Sequence, residues 1–289
     1  MTTKKTAYIV GNCQAKALET VLNLSDNFRS YFEFSLLPAV HVIKPEQVQQ
    51  LHEELPSAGL LIGQFVTEQY RDGIGLGLQT LQELTASNSI NLSWPSMYFN
   101  GYNPELFYFK NKNGSSFNES FDYHHKVIYS GFIRGLSVSE VSESISNTDR
   151  FNNAAMLAQK SLDELSVRES DLDLKVAQFV TDNFRTERLF WTFNHPSSSV
   201  IAEIARQVLE RLEIKNDLPN IMPDKLLNNT IYPILPSVEY SLKLNFQREN
   251  SIVVRGNRLS EFNMINEYYS IYRKYPELVE KNMNILNSL

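Results

Sequence analysis

Between residues 7 and 99, short apolar runs alternate with amphipathic segments, and this repeated change of period narrows the possible folds more than any other feature. Residues 7–10 (AYIV) are continuously apolar, as a strand buried on both faces is, whereas Ala15, Leu18, Val21 and Leu22 recur at helical spacing. Residues 32–42 (FEFSLLPAVHV) read as a second strand with Pro38 near an edge or bulge, and 45–55 as a helix opened by proline. Residues 57–65 supply a third strand ending at Gly63, 76–84 a helix, and 90–99 a fourth strand leading into the loop NGYNP. The order β-α-β-α-β-α-β predicts an α/β fold with a doubly wound, mostly parallel sheet of the Rossmann or SGNH kind, whose ligands gather beyond the carboxyl ends of the strands. Gly11, Gly63 and Asn100 all fall at such exits.

Further along, residues 121–136 mix aromatics, two histidines and glycines, and about 137–186 read as a helical insertion broken near 166–170. Residues 188–212 return to a strand-like run and then a helix with Val200, Ile201, Ile204, Ala205, Val208, Leu209 and Leu212 on one face. His195 and Pro196 occupy the turn between them. Beyond 215, prolines mark an irregular segment, and 259–275 carry aromatics at helical intervals. The expected organisation is a catalytic core over residues 1–214, including the insertion, with an irregular-to-helical extension over 215–289 packed on it. The helix at 259–275 would serve equally to cover that core or to pair with a second subunit.

Composition bounds the functions. With 289 residues, 42% of them hydrophobic, the chain can bury a large core. No apolar run approaches the roughly 20 residues of a membrane-spanning helix, and residues 1–5 lead into a strand with no signal-peptide core, so a cytoplasmic protein is expected. One cysteine excludes an internal disulfide and fits a reducing compartment. A net charge of −6 with scattered lysines and arginines argues against nucleic acid as partner.

That single cysteine carries the chemistry. At a strand-to-helix turn, Cys13 faces the first amides of the following helix, whose partial positive charge lowers a thiol pKa from about 8.5 toward neutrality. The bland alternative is a small residue packed in a tight turn. His195, at another strand-to-helix junction, suits a general base that takes the thiol proton and returns it, or else caps its helix. Amides near Gln14, Gly63 and Asn100 suit an oxyanion site, although glycine and asparagine are also ordinary turn formers. The adjacent His124 and His125 lack the spacing of metal ligands, and no metal is expected.

Four stretches in order, IVGNCQ, YFNGYNPEL, YHHKVIYSGFIRGLS and LFWTFNHPSSSVIAEIA, resemble the WcbI-type family of polysaccharide-biosynthesis acetyltransferases over about residues 7–212. That family is similar to SGNH-type acyl hydrolases, with cysteine in place of their serine. The resemblance implies coenzyme A or acetyl-coenzyme A as ligand, Cys13 as nucleophile or acyl-proximal thiol, His195 as base, and Gln14 with Asn100 as polar partners of the acyl oxygen. Asn12, Gln14, Tyr102 and His124 become cofactor contacts. The cofactor's phosphates call for cations, for which Lys126, Arg134 and Arg185, together with Arg71, are candidates. Thr192 stands where an aspartate is expected three residues before the histidine, so Asn194 or a backbone carbonyl is left to orient the ring.

The function implied is transfer of an acetyl group from acetyl-coenzyme A to a sugar hydroxyl of a capsule or other surface polysaccharide. The alternatives are an esterase or deacetylase using the same site with water, and a coenzyme A- or nucleotide-binding protein without turnover.

Overall fold

The computed structural model describes residues 3–111, 116–117, 119, 121–147, 151, 153–220, 222, 226–247 and 251–288. The chain opens with β1 (Lys5–Val10), α1 (Cys13–Leu22), α2 (Asp26–Tyr31), β2 (Phe32–Phe34), α3 (Pro45–Glu54), β3 (Leu60–Gln64), α4 (Leu78–Leu84) and β4 (Ile90–Trp94). It continues through β5 (Leu106–Phe107), β6 (His124–His125), α5 (Lys126–Ile133), α6 (Val138–Ser146), α7 (Ala154–Arg168) and α8 (Ala177–Asn183). Then come β7 (Phe190–Thr192), β8 (His195–Pro196), α9 (Ser198–Arg211), α10 (Pro236–Leu242), β9 (Ile252–Val254), β10 (Asn257–Leu259), α11 (Glu261–Lys274) and α12 (Pro276–Lys281). Contacts divide these elements into two compact units. One holds residues 1–98, 162–184 and 194–227, the other residues 99–161, 185–193 and 228–289.

The first unit is the expected α/β layer. Its four strands run in the order β2-β1-β3-β4, all parallel, with Ala7 opposite Leu60, Val10 opposite Gly63 and Gln64 opposite Trp94. Tyr8, Val10 and Leu61 point to one face, where they pack with Val48 and Leu51 of α3 and Leu81 of α4. By the two-residue alternation of strands, Ala7, Ile9, Leu60 and Ile62 point the other way, and they are equally buried. On α1, Leu18, Val21 and Leu22 are buried, as are Val200, Ile201, Ile204, Val208 and Leu209 of α9, and the two helices pack on each other. At roughly 1.5–3 kcal/mol for each fully buried large aliphatic side chain, this layer supplies the rigid floor on which the strand exits sit.

β2 and β4 are each shorter than the sequence pattern suggests for a local reason. β2 ends at Phe34, not at residue 42: after Ser35 donates to the Ala7 carbonyl at 3.0 Å, Pro38 has no amide with which to continue the ladder. The chain then folds back along the sheet end, where the Val40 amide donates to the Gly11 carbonyl at 2.9 Å. β4 stops at Trp94 because Pro95 follows it.

The second unit has an aromatic centre. Phe109 meets the His124 ring edge-on with centroids 4.3 Å apart, Phe121 stacks on Tyr268 at 4.1 Å, and Phe99 meets Tyr102 edge-on at 5.0 Å. The pairs β5–β6 and β9–β10 are antiparallel, and α5, α6 and α11 pack together. Among the described residues, no helix is long and apolar enough to cross a membrane.

Candidate functional site

The carboxyl end of β1 is built around one buried side chain. Asn12 caps α1, its side-chain oxygen accepting from the Gln14 amide at 2.9 Å, so the helix begins at Cys13. Gln14, fully buried, sends its Nε2 to two main-chain carbonyls, Met97 at 2.8 Å and Asn194 at 2.9 Å. Its Oε1 accepts from the Met97 amide at 3.1 Å and from Gln64 Nε2 at 3.0 Å. Gln64 also reaches the Pro95 carbonyl at 3.3 Å, and its Oε1 accepts from the Asn12 amide at 2.9 Å. Two buried amides thus join the exits of β1 and β3, the stretch following β4, and the residue preceding His195.

Gly11 is what lets these exits close up. A Cβ there would lie 3.0 Å from Gln64 Cβ, 3.1 Å from Gln64 Oε1 and 3.2 Å from Trp94 Cζ2. Gly63 serves helix packing instead. A Cβ on it would sit 2.5 Å from Leu78 Cδ1, so its bare backbone admits α4 against the sheet rather than a ligand.

Around this lattice lie Cys13 and His195, each half-buried and each in the first unit. Tyr98, directly after the Met97 anchor, is held above the usual phenol range, first by burial and next by the nearby Cys13 sulfur, with Arg168 opposing. The Arg168 guanidinium lies over the Tyr98 ring at 5.4 Å and donates to the Ser96 carbonyl at 3.2 Å. The thiol's surroundings therefore include the Tyr98 phenol, and the Arg168 guanidinium lies over that ring. Neither Gln64 nor Arg168 stands out in the sequence. The one signal for Gln64 is a polar residue closing an otherwise apolar strand, and Arg168 is an unremarkable helix-end cation.

The other site expectations fare differently. Gln14 does lie at the site, but its side chain has both N–H groups and both acceptor positions engaged, and its backbone amide serves Asn12; it is a tie, with no donor left for an acyl oxygen. Arg71 holds the loop after β2, donating to the carbonyls of Val40 at 3.0 Å and Ile43 at 2.7 Å. Asn100, Tyr102, His124, Lys126, Arg134 and Arg185 belong to the second unit. There the side chains of Tyr102 and His124 face the interior. Tyr102 donates to the Glu187 carbonyl at 2.9 Å, and the His124 Nδ1 pairs with the Tyr272 hydroxyl at 3.1 Å. Burial lowers the His124 pKa to about 3, so the ring is neutral at physiological pH. Asn100, Arg134 and Arg185 are exposed, the Asn100 amide donating to Ser161 Oγ at 3.0 Å, while Lys126 is half-buried with its pKa lowered by desolvation. The Thr192 hydroxyl donates to that of Tyr123 at 3.2 Å within the same unit. Among the described residues, no group of three or more His, Cys, Asp or Glu side chains is disposed to hold a metal ion.

The model of the WcbI polysaccharide biosynthesis enzyme family matches residues 6–217, which span the whole Gln14 lattice from Asn12 to Asn194. The chain belongs to the WcbI family. A solved WcbI structure is similar in fold, with a TM-score of 0.80 at 23% identity over 96% of this chain and 93% of the other. That protein is described as a novel polysaccharide biosynthesis enzyme, the native protein without a disulfide bond between coenzyme A and one of its cysteines. No curated protein matches the chain. The likeness to WcbI extends past the family match, into the segment beyond residue 217.

Proposed function

We propose that this WcbI-family polysaccharide biosynthesis enzyme is an acetyl-coenzyme A-dependent O-acetyltransferase acting on a sugar hydroxyl, with Cys13 and His195 as its reacting pair, in the cytoplasm where the thioester is available. The observation that carries the reading is the Gln14 amide, which bonds the carbonyl of the residue before His195 while its own backbone follows Cys13 into α1. The coenzyme A and cysteine named together for the solved WcbI protein add support.

In this reading the Cys13 sulfur, at the first residue of α1, is favoured as thiolate by the helix-terminal amides. It attacks the thioester carbon, the bond from that carbon to the coenzyme A sulfur breaks, and coenzyme A leaves as a thiolate that takes up a proton. The sugar oxygen then attacks the acetyl-cysteine carbon while His195 accepts its proton, and the Cys13–acetyl bond breaks to restore the thiolate. Asn194 is fixed by Gln14 at its carbonyl, so its neighbour His195 emerges from an anchored backbone. Tyr98 supplies a hydroxyl near the thiol, and Arg168 a cation over the Tyr98 ring.

The test is acetyl transfer to a panel of sugar acceptors, measured with Cys13→Ser and His195→Ala beside the unaltered enzyme. Loss of at least about a hundredfold in kcat for each is expected if they act as nucleophile and base. Full turnover by Cys13→Ser would leave direct transfer with His195 as the base, and release of acetate without acceptor would make the protein an esterase.

A further inference from the structure

The second unit contains a cavity of about 350 Å³, in the range of roughly 300–1,000 Å³ usual for small-molecule sites. Among its lining residues is Glu105, a carboxylic acid with almost no exposure and outside the chemistry proposed above. One oxygen of that group, Oε1, accepts from Asn103 Nδ2 at 3.0 Å, whereas the buried Oε2 has no hydrogen-bond partner. Tyr232, Ile234, Leu235, Ile252 and Met264 make the walls, and exposed Ser146 and Ser260 stand at the rim.

The charge of the lining has one sign. Glu105 and Glu261 both line the cavity, and among the described residues no lysine or arginine does. Lys126 and Arg188 lie within electrostatic reach of Glu105. The Arg188 guanidinium is engaged with the carbonyls of Phe190, Trp191 and Tyr232. His125, also lining, accepts from the Val127 amide through Nδ1 at 3.2 Å. The hydroxyls of Tyr232, which lines the cavity, and of Tyr268 are also within electrostatic reach of the carboxyl. A buried carboxyl oxygen that lacks a donor, in the lining of a cavity with apolar walls and a second carboxylate, is matched by a ligand that brings N–H donors and positive charge on an apolar body.

We propose that this cavity is a binding site for a small organic ammonium ion, with the ammonium on Glu105 Oε2 and the apolar body against Tyr232, Ile234 and Met264. The site is independent of the acyl-transfer reading, since none of its residues takes part in it. Burial holds the Glu105 pKa up at about 7. An ammonium ion selects the ionised form, so binding releases a proton at lower pH, whereas a neutral ligand of the same shape gains nothing from that ionisation.

The probe is cyclohexylammonium chloride, titrated calorimetrically into the full chain at pH 6 and pH 8, with cyclohexanol as the neutral counterpart. Binding about tenfold tighter at pH 8 is expected, because the ionised fraction of a group with its midpoint near 7 rises by about that factor. Glu105→Gln should abolish it, and Leu259→Trp, which fills the chamber from a half-exposed position, should abolish it while leaving Glu105 in place. If Glu105→Gln fails to fold, Leu259→Trp decides. The proposal is overturned if cyclohexanol binds as tightly, if either folded variant keeps the binding, or if the ammonium ion does not bind at millimolar concentration.

Discussion

The Gln14 side chain donates a 2.9 Å hydrogen bond to the carbonyl of Asn194, 180 residues further along the chain. Through it the start of α1, which begins with the only cysteine, and the turn that leads into β8 with His195 share one buried anchor.

Removing that anchor should be costly. Gln14→Leu leaves the carbonyls of Met97 and Asn194, the Met97 amide and one Gln64 N–H without their partner. At roughly 1–3 kcal/mol for a buried group left unsatisfied, a loss of about 3 kcal/mol or more is expected in urea unfolding. A midpoint within experimental error of the unaltered protein would contradict the role assigned to Gln14.

Gly63→Ala tests the second glycine. Its Cβ would meet Leu78 Cδ1 at 2.5 Å, so α4 must lift or Leu78 must leave its rotamer. Overpacking of this kind costs about 1–3 kcal/mol. Made in a Leu78→Ala background, where the clashing methyl is gone, Gly63→Ala should cost less than it does alone, and thermal unfolding of both single variants and the double variant reads the difference.

His124 sets an acid limit. With its pKa lowered to about 3 in the folded state and near 6.5 when unfolded, the unfolded chain binds the proton first. The stability this group contributes is complete above pH 6.5 and is lost as pH falls toward 3, by about 2 kcal/mol at pH 5. His124→Gln should flatten the stability profile between pH 7 and pH 5.

Glu105 acts in the opposite sense. Its folded pKa is raised to about 7 from an ordinary 4.5, so the folded state keeps the proton longer. Its contribution is full below pH 4.5 and lost as pH rises through 7, by about 3 kcal/mol in all. Relative to the unaltered protein, Glu105→Gln should therefore gain stability at pH 8 compared with pH 5, a comparison that chemical denaturation at the two pH values makes directly.

Much of the first unit is legible in the sequence alone. β1, β3, α1 and α9 follow directly from apolar runs and helical spacing, because each is a regular element burying a whole face. Strand lengths are not, since where β2 and β4 end depends on proline and on which neighbouring carbonyls remain within reach. Cys13 and His195 stand out in the sequence as candidates at strand-to-helix junctions, but the Gln14–Gln64 lattice does not: a buried amide's partners come from chain segments whose proximity only the fold creates. Tyr102 and His124 enter as cofactor contacts through the family resemblance, and nothing in their sequence neighbourhood tells a polar aromatic facing a cleft from one facing a core. In the structure they fill an aromatic interior that has no sequence period.

Whether Cys13 carries the acetyl group is decided by intact-protein mass spectrometry of the enzyme mixed with acetyl-coenzyme A in the absence of acceptor. A single added acetyl group is expected that maps to Cys13, disappears on addition of a sugar acceptor, and is missing in Cys13→Ala. An unmodified enzyme that still transfers acetyl to the acceptor at full rate would contradict the covalent route.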